Sequence, residues 1–417
     1  MHCSGRVMVN RIIAKLFYLS LSRNSLLFRK FRRYQGDSVF NDSEFAKCQK
    51  RVKAQLEANS EISFEQGTTK SVLRRLDGRI DKPFFSKEIY TSGSTGEPFK
   101  FFVPLRYFGF EWIASRFMWS THLSDYSLNE PVITFRTHTP KNDQDVFKID
   151  RFQNFYYVSP YHISQLNLDK ILNFIIQSKS RIVRGYPSSV YLLADLLNQN
   201  AVVLADIRLV VVSSEMFDDI HRNAINSAFP NASICNQYGQ NEGVVALFTC
   251  RHGKWHNLDY YGKCEISDAN AIIGTPFHNK VYPFYKYNTG DLVEQEEKFN
   301  CSCGLGSTAG VKAILGRSDD WLFKADGTKV PSTNFTSAIK TIEGIKQYQL
   351  IQDINPIKIR ALIVLSSSRS FNLELLKGEL ARCVQNRLGK IQVEVEIVDE
   401  ILRNRKTNKI KTVIRNE

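Results

Sequence analysis

The sequence predicts an α/β protein in two parts, a large N-terminal domain built on mainly parallel, helix-covered sheets and a small α+β lobe at the C-terminus. Three observations carry this. From Leu168 to Asn236 short apolar runs alternate with amphipathic stretches, the pattern of parallel strands joined by covering helices. After about residue 318 the pattern changes to hairpin and helix. Finally, 417 residues with 43% apolar and 24% charged content exceed one ordinary core, and no uncharged apolar run approaches the ~18 residues a membrane span needs.

The expected elements follow in chain order. Residues 1–40 form a basic helical arm, 41–317 the large domain and 318–417 the lobe. Apolar positions spaced by three and four predict a helix over Asn41–Leu76. The alternating stretch then gives helix at Leu168–Ser178, strand at Arg181–Arg184, helix at Ser188–Asn198, buried strand at Leu209–Val212, helix at Met216–Phe229 and strand at Ala232–Asn236. Ligands of such a sheet sit at the carboxyl ends of its strands. In the lobe, Asp326-Gly327 marks a hairpin turn, followed by helix Thr333–Ile342, strands Gln347–Gln352 and Ile357–Leu365, helix Leu373–Arg387 and strand Gln392–Val398.

The net charge of +14 suggests a polyanionic partner until it is located. Residues 1–34 carry +8, residues 401–417 carry +5, and the body between them is +1. A nearly neutral body without interleaved basic and aromatic residues excludes a general nucleic-acid surface. The stretch Arg11–Tyr34 lacks the apolar core and cleavage site of an export signal. It reads as a peripheral helix on the cytoplasmic side, either packed on the body or touching an anionic membrane surface.

Several motifs carry chemistry. Ser92-Gly93-Ser94-Thr95-Gly96 is a loop whose backbone N–H groups can approach a polyphosphate closely, although it lacks the Gly-Lys-Ser/Thr of a Walker A loop. Ser214-Glu215 ends one buried strand, and Tyr238 with Glu242 ends the next. Asp291 follows a glycine turn and suits two vicinal ribose hydroxyls. Arg317 and Asp319 fall at the lobe boundary, and Lys409 lies in a basic stretch near the chain end. Each has a plain structural reading on its own: a hairpin turn, a helix N-terminal carboxylate, a solvated tail.

In this order and spacing, over roughly residues 85–415, the motifs resemble the adenylate-forming enzymes, specifically the phenylacetate-CoA ligase-like family with its capsular polysaccharide biosynthesis (CapK) branch. The resemblance implies a small lobe that is mobile about a hinge at Asp319. It implies that Ser92 to Gly96 hold the ATP phosphates, that Ser214 and Glu215 lie beside adenine, and that Tyr238 stacks near the base and acyl carboxylate. Glu242 would bind Mg²⁺, Asp291 the ribose, Arg317 ribose or phosphate, and Lys409 would reach between carboxylate and α-phosphate. A lysine point charge and Mg²⁺ there stabilise the phosphoryl transition state. The sequence departs from the family at Asn408, where glycine is usual, and at Lys324–Val330, which replaces the glycine-rich segment after the hinge.

Eight scattered cysteines without an export signal fit free thiols in a reducing cytoplasm. Cys250 with His252 or His256, and Cys301-Ser302-Cys303, have the composition of a tetrahedral Cys₃His zinc site. The resemblance favours His256, six residues after the cysteine. The expected function is ATP- and Mg²⁺-dependent activation of a small carboxylic acid to an acyl-adenylate, with CoA as acceptor. The alternatives are acyl transfer to a sugar amine or hydroxyl in surface-polysaccharide assembly, and a non-catalytic nucleotide-binding scaffold. The acid pocket is expected to draw on several distant segments, the Arg184-Gly185-Tyr186 region among them, and the motifs name neither the acid nor an oligomeric state.

Overall fold

The computed structural model describes residues 24–57, 67–76, 80, 83–91, 99–136, 146–296, 299–317, 321–331, 335, 339, 342, 344–354, 356–365, 372–401 and 412–416. They fall into two compact units, the first running to Thr289 and including Val293–Ala313, the second comprising Gly290–Leu292 and the chain from Ile314.

In the first unit, helix α1 (Ser25–Tyr34) starts where the Asn24 side chain accepts from the Leu27 N–H at 2.9 Å. Leu27, Phe28 and Phe31 share one face, and Phe31 is fully buried against Phe110, Phe117 and Tyr260. Arg29, Lys30, Arg32 and Arg33 are exposed. The apolar face of this part of the arm is therefore packed on the protein's own core. Residues 1–23 of the arm lie outside the described residues.

The expected continuous helix over 41–76 is instead two helices, α2 (Ser38–Glu57) and α3 (Lys70–Arg74). Gly67 takes φ +74°, and a Cβ there would sit 2.7 Å from the Lys286 carbonyl oxygen. Thr68 then bonds the Tyr285 carbonyl through both its N–H and its hydroxyl, and Thr69 caps α3 by accepting from Val72 N–H. Docking of this backbone on residues 285–288 wins over helical periodicity.

Strands β1 (Ser86–Thr91) and β2 (Phe99–Pro104) form an antiparallel hairpin with Thr91 opposite Phe99. Helix α4 (Tyr107–Ser120) follows. The main sheet contains β3 (Val132–Phe135), β4 (Phe147–Asp150) and β5 (Phe155–Val158), then α5 (Leu168–Ser178), β6 (Ile182–Gly185), α6 (Pro187–Gln199) and β7 (Leu209–Ser213). It is completed by α7 (Asp219–Ala228), β8 (Ser233–Gly239), β9 (Ala246–Thr249) and β10 (Trp255–Asn257). The strand order is β10-β9-β8-β7-β6-β3-β5-β4, with β5, β3, β6, β7 and β8 parallel and the edges antiparallel.

Side-chain alternation divides this sheet into two faces. Val132, Ile182, Leu209, Val211 and Cys235 face the aromatic side chains of α1 and α4. Ile133, Val183, Val210 and Val212 face apolar residues of α5, α6 and α7. A second sheet has the order β11 (Gly262–Ile266), β12 (Ala271–Pro276), β13 (Tyr287–Gln295), β14 (Val311–Arg317).

The second unit opens with the hairpin β15 (Trp321–Phe323) and β16 (Lys329–Pro331), which encloses the expected Asp326-Gly327 turn. Its sheet has the order β19-β18-β17-β20, formed by β17 (Ile345–Ile354), β18 (Ile357–Leu365), β19 (Gln392–Ile397) and β20 (Val413–Asn416). Gln352 ties hairpin to sheet by bonding both the N–H and carbonyl of Phe323. Helix α8 (Leu373–Leu388), capped by Asn372, buries Leu376, Leu380, Val384 and Leu388 at helical spacing. Most of the expected helix over 333–342 lies outside the described residues, but Phe335, Ile339 and Ile342 are buried in the same core.

Candidate adenylate site and metal centre

The carboxyl ends of β3, β6, β7 and β8 bring polar residues together where a parallel sheet opens to a ligand. Beyond Ser213, which ends β7, Ser214 takes φ +72°, a left-handed conformation uncommon for a residue with a Cβ. The bend turns Glu215 back toward α6, where its Oε2 accepts from the Ser188 N–H at 3.1 Å in the first helical turn. The Glu215 Oε1 is buried without a protein hydrogen bond. Glu215 is thus a helix N-terminal carboxylate, the plain alternative, and still stands at the strand mouth. Tyr238 is the penultimate residue of β8, opposite Leu247 and half-buried.

Glu242 follows in a tight turn, with its carboxylate buried and its Oε1 accepting from Tyr287 Oη at 3.1 Å. The next residue, Gly243, takes φ +61°, and a Cβ there would meet Tyr107 Oη at 2.6 Å. Tyr107 donates to the Asn241 carbonyl at 3.2 Å. On α4, one turn from Tyr107, Glu111 accepts from Tyr261 Oη at 2.5 Å. Desolvation pushes the Glu111 carboxyl up to about 7, opposed by the Tyr261 hydrogen bond. Its side chain is nevertheless 34% exposed. Burial holds the neighbouring His278 down to about 3, hence neutral.

Two arginines lie at the same mouths: Arg184, from the stretch expected to line the acid pocket, and Arg136, which sequence reasoning passed over. Arg136, just beyond β3, donates from Nη1 to Ser213 Oγ at 2.8 Å and lies 4.8 Å from the Tyr186 ring centroid. Arg184 in β6 lies 4.9 Å from the Trp112 ring centroid. Val132-Ile133-Thr134-Phe135-Arg136 resembles the recognised Val211–Glu215 stretch, a mainly apolar run ending in a polar residue, and that signal could have found Arg136.

The remaining predicted residues are distributed as follows. Asp291 lies in β13, within the Gly290–Leu292 segment that groups with the second unit. Arg317 is the last residue of β14. Ser92, Gly93, Ser94, Thr95 and Gly96, which connect β1 to β2, lie outside the described residues, as do Asp319 and Lys409.

The metal candidates do come together. The ligand atoms of Cys250, His256, Cys301 and Cys303 all lie within 4.8 Å of one another. Cys250 Sγ and Cys301 Sγ are 3.6 Å apart, and Cys303 Sγ and His256 Nε2 are 3.5 Å apart. A tetrahedron with zinc–sulfur and zinc–nitrogen bonds of ordinary length has edges of about 3.8 and 3.6 Å, so the donor set fits zinc. His256 Nδ1 donates to the Gly306 carbonyl at 3.1 Å, which leaves Nε2 as the acceptor that faces the thiols. Burial lowers the His256 pKa and keeps the ring neutral. His252 instead pairs its Nδ1 with Ser302 Oγ at 2.9 Å.

Beside this centre, buried Asp259 accepts from Gly36 N–H at 2.7 Å, Asn257 Nδ2 at 2.7 Å and the Thr308 hydroxyl. The loops that carry the four candidate ligands are thereby tied to the turn after α1. Among the described residues no helix is long and apolar enough to cross a membrane.

Comparison with known proteins agrees with this architecture. Residues 322–416 match the family model described as the CapK C-terminal domain. Protein CapK of Staphylococcus aureus is 24% identical over 230 residues, which cover 54% of this chain and 51% of CapK, so the chain spans about half the length of that relative. The structure of 2-hydroxyisobutyryl-CoA ligase in the postadenylation state with R3-HIB-AMP superposes with a TM-score of 0.60 at 13% identity, covering 94% of this chain and 90% of the ligase. The anthranilate CoA ligase AuaEII with anthranoyl-AMP gives a TM-score of 0.51 at 17% identity, covering 78% and 66%. The chain is thus similar to CapK over about half its length and has the two-domain fold seen in the acyl-CoA ligase structures.

Proposed function

We propose that the protein activates a small carboxylic acid with ATP and Mg²⁺ and then transfers the acyl group to CoA. The observation that carries this reading is the strand mouth itself. A strained Ser214, the Glu215 cap, Tyr238 and buried Glu242 follow the carboxyl ends of β7 and β8 in a chain with the ligase fold.

In this reading the substrate carboxylate oxygen attacks the α-phosphorus, the bond to the β-phosphate oxygen breaks, and pyrophosphate leaves. The thiol sulfur of CoA then attacks the acyl carbonyl, AMP departs, and the thiol proton passes to solvent. Mg²⁺ would be held by Glu242 and would neutralise the triphosphate. Ser92 to Gly96 hold the phosphates, Ser214, Glu215 and Tyr238 border the base, Asp291 holds the ribose, and Arg317 contacts ribose or phosphate. Lys409 offsets the charge gathered where two anions meet, and Asp319 is the hinge of the mobile lobe. The Cys₃His centre would take Zn²⁺; with four protein ligands it leaves no open position for substrate and is structural.

The match of residues 322–416 to the CapK C-terminal domain favours a second acceptor, a sugar amine or hydroxyl in surface-polysaccharide assembly. Pyrophosphate release measured across an acid library, with and without CoA, separates the two. Acid-dependent release with stoichiometric CoA consumption supports the thioester, and release without CoA consumption supports the other acceptor. Absence of acid-dependent release would leave the nucleotide-binding scaffold.

A further inference from the structure

Helix α1 turns its two sides to different surroundings. Leu27, Phe28 and Phe31 take the inner side, where the Phe28 ring lies 5.8 Å from that of Phe117 and Phe31 is fully buried. Leu26, Arg29, Lys30 and Arg33 recur at three- and four-residue spacing and so share the outer side, with Arg32 on its flank. All five are exposed, Leu26 by 65%. The turn that follows is pinned to the body: Gln35 Nε2 donates to the Asn257 carbonyl at 2.6 Å, and the Gly36 N–H to Asp259 Oδ2 at 2.7 Å. A fixed helix therefore presents this outer side.

Its charge is not neutralised from within. Among the described residues no carboxylate pairs with Arg29, Lys30, Arg32 or Arg33, and Arg33 lies 5.6 Å from the ring centroid of its neighbour Tyr34. The first acidic residue of the chain, Asp37, instead turns its Oδ1 to the Phe40 N–H at 2.9 Å, at the start of α2. Basic residues in a last turn complement the helix dipole, which accounts for Arg32 and Arg33. It does not account for Arg29 and Lys30 in mid-helix. Like charges three and four positions apart, Arg29 with Arg32 and Arg33 and Lys30 with Arg33, also repel one another. An anionic surface relieves that repulsion, and the sequence before α1 adds Arg6, Arg11, Lys15 and Arg23 without an acid. Leu26 selects among such surfaces, because an apolar side chain on the basic side meets hydrocarbon at a lipid interface but only phosphate and water on a nucleic-acid backbone.

We propose that the outer side of α1 docks on an anionic lipid bilayer, with headgroup phosphates at Arg29, Lys30, Arg32 and Arg33 and Leu26 at the acyl boundary. The other apolar residues of the helix are committed to the protein core, so it rests on the bilayer without inserting. Attachment is therefore electrostatic and reversible. This inference is independent of the adenylation reading.

The test is sedimentation of the full chain with phosphatidylcholine vesicles, with and without about one third phosphatidylglycerol, at about 0.05 and 0.5 M salt. Binding is expected on the anionic vesicles only, and should fall by about tenfold or more at the higher salt. Each basic residue near an anionic surface multiplies partition by roughly fivefold, so Arg29→Gln, Lys30→Gln and Arg33→Gln combined should lower it about a hundredfold. These side chains are exposed, so the triple variant should keep the wild-type Tm. Arg29→Lys with Arg33→Lys should bind as the wild type does, which separates charge from folding, and Leu26→Ser should weaken binding severalfold at both salts. Equal partition on neutral and anionic vesicles, unchanged partition of the triple variant, or loss of binding in the lysine variant would overturn the proposal. Duplex RNA that displaces the vesicles and binds Leu26→Ser as tightly as wild type would replace the bilayer by a nucleic acid.

Discussion

Mutating the Cys₃His centre tests the strongest geometry in the molecule. The 3.6 Å edge between Cys250 Sγ and Cys301 Sγ gives a centre-to-ligand distance of about 2.2 Å for a regular tetrahedron, close to the ~2.3 Å of a zinc–sulfur bond. Protein purified without chelator should therefore hold one zinc per chain, with an absorption-edge spectrum of three sulfurs near 2.3 Å and one nitrogen at about 2.0–2.1 Å. Cys301→Ser and Cys303→Ser each remove a thiolate and should reduce zinc to well below one equivalent and lower Tm. His256→Ala should do the same, because its Nε2 faces Cys303 at 3.5 Å, whereas His252→Ala should keep the metal, since that ring pairs with Ser302. Metal-free wild-type protein that melts at the same temperature with and without added zinc would refute the centre. Retention of zinc by His256→Ala together with loss in His252→Ala would refute the ligand assignment.

Other predictions follow from burial and backbone geometry. Phe31→Ala empties a fully buried site among Phe110, Phe117 and Tyr260 and should cost about 3–5 kcal/mol in urea unfolding, while neutralising exposed Arg29 or Arg33 should cost under about 0.5 kcal/mol. Gly243→Ala should destabilise by roughly 1–3 kcal/mol in the same measurement, since its positive φ and the Tyr107 hydroxyl leave a Cβ no relaxed position. Glu111 binds its proton more tightly in the folded chain, up to about 7 against an ordinary 4.5. Its contribution to stability is thus full below the unfolded pKa and is lost as pH rises through the folded one. Because the group is a third exposed, the loss should be on the order of 1–2 kcal/mol, read as a fall in Tm between pH 4.5 and 7 that Glu111→Gln flattens.

The run from Leu168 to Asn236 was legible because each element has one apolar face and a clear period: Leu168, Ile171 and Ile175 in α5, and the unbroken Leu209–Val212 in β7. Helix α4 was not legible, since Tyr107, Phe110, Ile113, Ala114, Phe117, Met118 and Trp119 are buried nearly all around it and leave no polar stripe to set a period. Missing α4 and β3 hid Glu111, Trp112 and Arg136. Periodicity overran Gly67 because the bonds that break the helix come from residues more than two hundred positions away. The thiols and imidazole were readable as a set, but spacing left His252 and His256 equivalent. The resemblance favoured His256, and the fold sets its Nε2 3.5 Å from Cys303 Sγ while His252 turns to Ser302. The strain at Ser214 has no sequence signal, because serine is ordinary in a turn and only the fold forces its φ positive.

The central claim is that this chain joins a carboxylic acid to AMP before any acceptor is engaged. Acid-dependent exchange of labelled pyrophosphate into ATP, measured without CoA, reads that half-reaction alone. The account predicts exchange that requires acid and Mg²⁺ together, and that falls at least a hundredfold in Lys409→Ala and markedly in Glu242→Gln, with both variants keeping the wild-type Tm. Exchange that proceeds at the wild-type rate in Lys409→Ala would contradict the assignment of the lysine, and tight ATP binding without exchange across the acid panel would contradict adenylation.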